Sequence, residues 1–169
     1  MDEIQSNVTC IQFIPRVSQV DYIEIMPGSG CSSYVGKIGG KQTVTLLTSN
    51  GNAGSTCMVK GIIIHELNHA LGFVHMQSAI DRDNFVTINY GNIQDTAVNN
   101  FAKYTSTYIS YFGTTFDINS IMMYPRKAFS KNGLDTITTK IAADNDKIGQ
   151  RVRMSSLDVL RLSKMYCVL

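Results

Sequence analysis

The chain opens with stretches in which apolar and polar residues alternate: Cys10 to Ile14, Tyr22 to Met26 and Thr43 to Leu47, each followed by Pro, Gly or Asn. A period of two places one face of each stretch against a core, and predicts strands closed by turns. Between Met58 and Leu71 the alternation gives way to a continuous apolar run that carries His65, Glu66 and His69 and stops at Gly72. That change of pattern predicts one buried helix after the sheet, with glycine at its end. Beyond Gly72 the regular signal weakens to a short alternating piece at Phe85 to Tyr90 and a polar, aromatic-studded stretch from Asn99 to Phe116 that has room for a short helix. The last helix is better marked. Ser155 with Asp158 three residues on resembles a capping box, and Leu157, Val159, Leu160, Leu162 and Tyr166 give the helix an apolar side. The order predicts an α+β fold of two lobes with a cleft between them: a twisted sheet plus a buried helix first, then an irregular lobe that ends in a helix.

Bulk properties narrow this picture. At 169 residues, with 44% hydrophobic and 17% charged residues, the chain suits one domain with a real core. A net charge of +2 and the absence of a long Lys/Arg run argue against a nucleic-acid partner. No apolar stretch approaches the roughly 18 to 20 residues of a membrane span. Four cysteines, Cys10, Cys31, Cys57 and Cys167, lack CxxC spacing and predict two disulfides, with three pairings open. Disulfides and the sequon Asn7-Val8-Thr9 agree with an extracellular, secreted chain. Met1-Asp2-Glu3 has neither the basic nor the apolar region of a secretory signal, so residues upstream of this start are expected.

The chemistry is concentrated in His65-Glu66-Leu67-Asn68-His69-Ala70-Leu71-Gly72-Phe73-Val74-His75. On a helix, positions i and i+4 share a face, so His65 and His69 can present imidazole nitrogens to one Zn2+ ion. Gly72 allows the chain to leave the helix, and His75 can return to the same ion. Three nitrogen ligands leave a position open, as in a catalytic rather than a structural zinc site, and Glu66 is placed to take a proton from zinc-bound water. HExxH alone arises by chance in roughly one such chain in a few hundred; with GxxH added the odds fall to the order of one in 10⁵. The chain has 3 histidines, and all of them fall in this motif. The expected reaction is hydrolysis of peptide bonds in protein or peptide substrates without a covalent intermediate.

Downstream stands Ser120-Ile121-Met122-Met123-Tyr124. With the zinc motif, this resembles the astacin family of zinc endopeptidases, within the metzincin group. The resemblance extends to Asp81 through Tyr90, Asn100-Phe101 with Tyr104, Ile148-Gly149-Gln150-Arg151, and Ser155 to Cys167, so residues 1–169 read as an astacin-like peptidase domain without the N-terminal part of the family domain. It implies that Met122 lies beneath the zinc site as an apolar floor. It also implies that Tyr124 is a further zinc ligand able to swing away and hydrogen-bond the transition-state oxyanion. The implied disulfides join Cys10 to Cys167 and Cys31 to Cys57.

The chain departs from the family after His75. Astacins usually continue with Glu, and have Arg three residues further on, where this chain has Met76 and Ala79. In the family that Glu meets the buried N-terminus of the mature enzyme; methionine avoids the cost of a buried carboxylate with no partner. The departures motivate an alternative, a catalytically weakened zinc-binding homologue that acts as a protein-binding module. Astacins often favour acidic residues just after the scissile bond, and Arg126, Lys127, Arg151 and Arg153 are the candidates to supply the matching charge.

Overall fold

A computed structural model describes residues 1–48 and 56–167. The chain divides into two compact units, residues 1–74 with 151–169, and residues 75–150.

The first unit holds a three-stranded sheet and the three α-helices of the described residues. Strand β1 (Tyr22–Pro27) runs parallel to β3 (Lys41–Leu46), with Tyr22 opposite Lys41, and β2 (Cys31–Ser33) pairs antiparallel with the other edge of β3. In β3 the period of two is exact in burial: Gln42, Val44 and Leu46 are buried while Lys41 is exposed. Val44, Leu46, Cys57 and Ala70 form one core cluster of this unit, with Ile23, Leu47, Ile62 and Ile63 packed around them. The strands expected at Tyr22 to Met26 and Thr43 to Leu47 therefore form, within a residue or two; the turn after Leu47 lies outside the described residues.

Cys10 to Ile14 forms no ladder. Two of its N–H groups are taken up locally: that of Ile11 donates to the Val8 carbonyl at 3.0 Å and that of Phe13 to Gln5 Oε1 at 2.6 Å. Alternation prepares a segment for a sheet, but a strand also needs a partner edge, and here local acceptors take the Ile11 and Phe13 donors. Gln5 belongs to a short helix, α1 (Asp2–Asn7), which the pattern did not announce; Ile4 is its buried residue.

The buried helix is α2 (Lys60–Ala70), and every residue from Ile64 to Ala70 is buried. It ends as expected. The Gly72 N–H donates to the His69 carbonyl and the Phe73 N–H to the Asn68 carbonyl, the paired bonds of a Schellman motif, with Gly72 at φ 98°. The last helix, α3 (Ser156–Tyr166), carries both halves of the capping box: Ser155 accepts from the Asp158 N–H, and the Asp158 carboxylate accepts from the Ser155 N–H. Its buried residues are Asp158, Arg161 and Leu162, whereas Leu160 and Tyr166 are exposed, so the expected apolar side is only partly the buried one. Although it follows the irregular region in the chain, α3 belongs to the first unit, where the Tyr166 hydroxyl donates to the Leu71 carbonyl at 2.8 Å.

The second unit is irregular, as expected. Its regular structure is a strand pair, β4 (Val86–Ile88) antiparallel to β5 (Ile137–Thr139), and short 3-10 turns. One such turn, Asp95–Phe101, occupies the beginning of the stretch where a short helix had room to form. The core contains Met76, Ala79, Val86, Ile93, Phe101, Phe116, Met123 and Ile137. Irregular backbone leaves carbonyls without ladder partners, and here buried Arg82 takes up two: its guanidinium donates to the Gln77 carbonyl at 2.7 Å and to the Phe101 carbonyl, and also to the Tyr90 hydroxyl.

Both disulfides are those the resemblance implied, Cys10–Cys167 and Cys31–Cys57. Met76 and Ala79, at the positions where astacins usually carry charge, are 3% and 0% exposed and lie in the apolar core of the second unit.

Candidate metal centre

The apolar run that makes α2 a buried helix also carries polar groups into a low-dielectric setting. His65, Glu66 and His69 are all buried on it. The rings of His65 and His69, one turn apart, meet edge to face with centroids 4.7 Å apart. After the Schellman turn, His75 completes the group: one ligand atom from each of the three histidines lies within 4.8 Å of the other two.

The donor set fits zinc. It consists of imidazole nitrogens, and burial lowers the His69 pKa, outweighing its hydrogen bond to Phe73 and acting with the Arg151 charge to favour the neutral, ligating form. Nδ1 of His69 lies 2.7 Å from the Phe73 carbonyl, a contact that requires the N–H on Nδ1 and leaves Nε2 as the ligand atom. This carbonyl is a site component that the side-chain pattern could not signal, because it is a backbone group placed by the turn at Gly72.

Glu66 has the features of a proton acceptor near neutrality. Burial raises its pKa to about 7, against the opposing pull of the Arg151 charge. Of the four basic residues considered for substrate recognition, Arg151 is the one whose charge is felt at both Glu66 and His69. Its proximity has a backbone cause. A Cβ on Gly61, in the first turn of α2, would stand 1.8 Å from the Arg151 carbonyl oxygen, so only glycine lets the two backbones approach this closely. Arg126 is instead bound by Asp135 at 2.5 Å and Asp146 at 2.7 Å.

The turn Ser120 to Tyr124 is built around buried residues: Ser120, Ile121 and Met123 are 0% exposed and Met122 is 2% exposed. The Ser120 hydroxyl accepts the Met122 N–H, and the Met122 carbonyl accepts the N–H of Met76, the residue after His75, at 2.9 Å. The turn is thus joined by a backbone bond to the chain that presents the third histidine. The Tyr124 ring lies against His75 with centroids 4.3 Å apart, and Phe129 and Phe101 approach it at 5.7 and 5.8 Å. Phe129 does so from a left-handed backbone conformation, φ 53°.

The sequence model of the peptidase family described as Astacin matches residues 1–167. The chain belongs to the astacin family. This astacin is 45% identical over 159 residues to zinc metalloproteinase nas-13 of Caenorhabditis elegans, an alignment covering 94% of the chain and 33% of nas-13. It is 38% identical over 174 residues to blastula protease 10 of Paracentrotus lividus, covering 98% of the chain and 28% of that protein. Among solved structures it is similar to high choriolytic enzyme 1, a hatching-enzyme zinc protease of the medaka fish Oryzias latipes. That match has a TM-score of 0.84 at 38% identity and covers 99% of this chain and 82% of the other. The chain spans about a third of the length of the first curated relatives it matches. The histidine triad of this astacin fits the zinc that names those relatives.

Proposed function

We propose that this astacin is a secreted zinc-dependent endopeptidase in which His65, His69 and His75 hold the metal, Glu66 is the general base, and Tyr124 is both a further ligand and an oxyanion donor. The observation that carries the proposal is the convergence of three histidine nitrogens beside a buried carboxylate whose pKa lies at about 7. When bound, zinc supplies Lewis-acid polarisation of the scissile carbonyl and lowers the pKa of water. The protein supplies the proton transfers. Glu66, in its ionised form, takes a proton from the attacking water and delivers it to the departing amine. The Tyr124 hydroxyl donates to the oxygen that becomes negative, and the ring contact with His75 keeps the phenol beside the third ligand.

The match over residues 1–167 supports reading the chain as peptidase-domain sequence acting on protein or peptide substrates. Two disulfides support an extracellular location. Among the described residues no helix is long and apolar enough to cross a membrane. Arg151 is the candidate for recognising an acidic residue beyond the scissile bond, because its charge reaches Glu66.

The test compares the parent with Glu66→Ala for bound zinc and for cleavage of a denatured protein. Equal zinc with cleavage by the parent alone is the expected result. Equal zinc with no cleavage by a folded parent would put the protein-binding alternative ahead, the departures at Met76 and Ala79 then marking a site kept for stability.

A further inference from the structure

The sequon Asn7-Val8-Thr9 stands at the end of α1 and includes none of the residues proposed for the metal centre. Its three side chains divide between core and solvent. Val8 is 1% exposed and, with Ile4 at 0%, anchors the helix end, whereas Asn7 and Thr9 are both exposed. The acceptor amide and the hydroxyl that activates it therefore stand outside a fixed turn. An asparagine amide has two N–H groups. One donates to the Glu3 carbonyl at 2.7 Å, and the other is available for substitution without breaking that bond. The next residue, Cys10, is bonded to Cys167, which places the segment in a chain that matures under oxidising conditions, where N-linked transfer also takes place.

We infer that Asn7 is an N-glycosylation site, carrying an oligosaccharide through N-acetylglucosamine. The inference rests on the secretory part of the functional proposal and is independent of peptidase activity. In the transfer, Nδ2 of Asn7 forms a bond to C1 of the sugar of a polyprenyl-pyrophosphate-linked oligosaccharide. The C1–oxygen bond to the pyrophosphate breaks, the lipid pyrophosphate leaves with the electron pair, and the lost amide proton passes to a base of the transferase. No oxidant or reductant is needed.

The experiment directs the chain into the secretory pathway of a eukaryotic cell behind a cleavable signal and reads glycan by peptide N-glycosidase digestion and peptide mapping. Material from the membrane fraction is included, because transfer precedes folding and a folding failure cannot then hide the result. Most chains are expected to carry one glycan at Asn7, with complete loss in Asn7→Gln and in Thr9→Ala, the second of which leaves the acceptor intact. Unmodified Asn7 in the parent overturns the inference whatever the natural compartment, as does a glycan that persists in Asn7→Gln. Glycosylated parent and Thr9→Ala, which keeps the Asn7 amide, are expected to share one denaturation midpoint, since the sugar projects from an exposed position; a midpoint lowered by the glycan would contradict the placement of Asn7 outside the core.

Discussion

His69 shows how one residue of this site is prepared by its neighbours: its Nδ1 is committed to the Phe73 carbonyl, and burial disfavours its charged form. Tyr124 is held differently, by rings. His75, Phe129 and Phe101 surround it, so removing the hydroxyl alone leaves the packing in place. Tyr124→Phe is therefore expected to keep its zinc and its stability while kcat falls about 10²-fold or more, the usual effect of losing one oxyanion donor. Metal analysis and steady-state kinetics check this, and an unchanged kcat would remove Tyr124 from the chemistry. Gly61 acts through backbone alone. Alanine there places a methyl group into the Arg151 carbonyl, which no side-chain rotation relieves, and should cost about 1–3 kcal/mol or more in chemical denaturation. Activity should fall in the same variant, because Arg151 carries the charge felt by Glu66.

At the scale of elements, Arg82 does for the second unit what ladders do for a sheet. Arg82→Met preserves much of the side-chain volume but leaves the Gln77 and Phe101 carbonyls without this donor. An orphaned buried acceptor costs about 1–3 kcal/mol, so a loss of about 3 kcal/mol is expected from urea midpoints, whereas a change within about 0.5 kcal/mol would mean that other donors replace the arginine. This role explains why the region was hard to read in advance. Its structure depends on hydrogen bonds between residues distant in sequence, such as Arg82 to Phe101, and such bonds leave no period in the pattern. The zinc helix was legible because its run ended at a glycine with a structural purpose, and α3 because its cap is local. The apolar side assigned to α3 was less so, since Asp158 and Arg161 are buried while Leu160 is not. Cys10 to Ile14 had the period of a strand but pairs with no strand among the described residues. Among the residues proposed for the site, the histidines and Glu66 are singled out by spacing alone, while Met122 and Tyr124 are singled out only through family resemblance. The Phe73 carbonyl belonged to neither kind of signal.

Across the whole chain, the first unit is closed by links between its most distant parts. One is covalent, Cys10 to Cys167; the other is ionic and runs through Glu3. The Glu3 carboxylate accepts from the Lys60 ammonium at 2.7 Å, at the start of α2, and from the Met154 N–H at 2.8 Å, just before α3. Burial opposes its ionisation, yet the bonds from Lys60 and Met154 prevail and hold its pKa below the ordinary 4.5. A carboxyl with a depressed folded-state pKa stabilises fully where it is ionised in both states, above about 4.5; as pH falls further the unfolded chain takes up the proton first, and the contribution is lost through the folded-state pKa. Glu3→Gln should therefore be less stable than the parent at about pH 7, and the gap between their denaturation midpoints should narrow steadily as the pH is lowered through about 4. Parallel curves would show that the carboxylate adds nothing to this closure. A narrowing gap would mean that the acid sensitivity of the unit bearing His65, Glu66 and His69 is set partly at Glu3, a residue outside the metal centre whose bonds link α1 to the start of α2 and to the approach to α3.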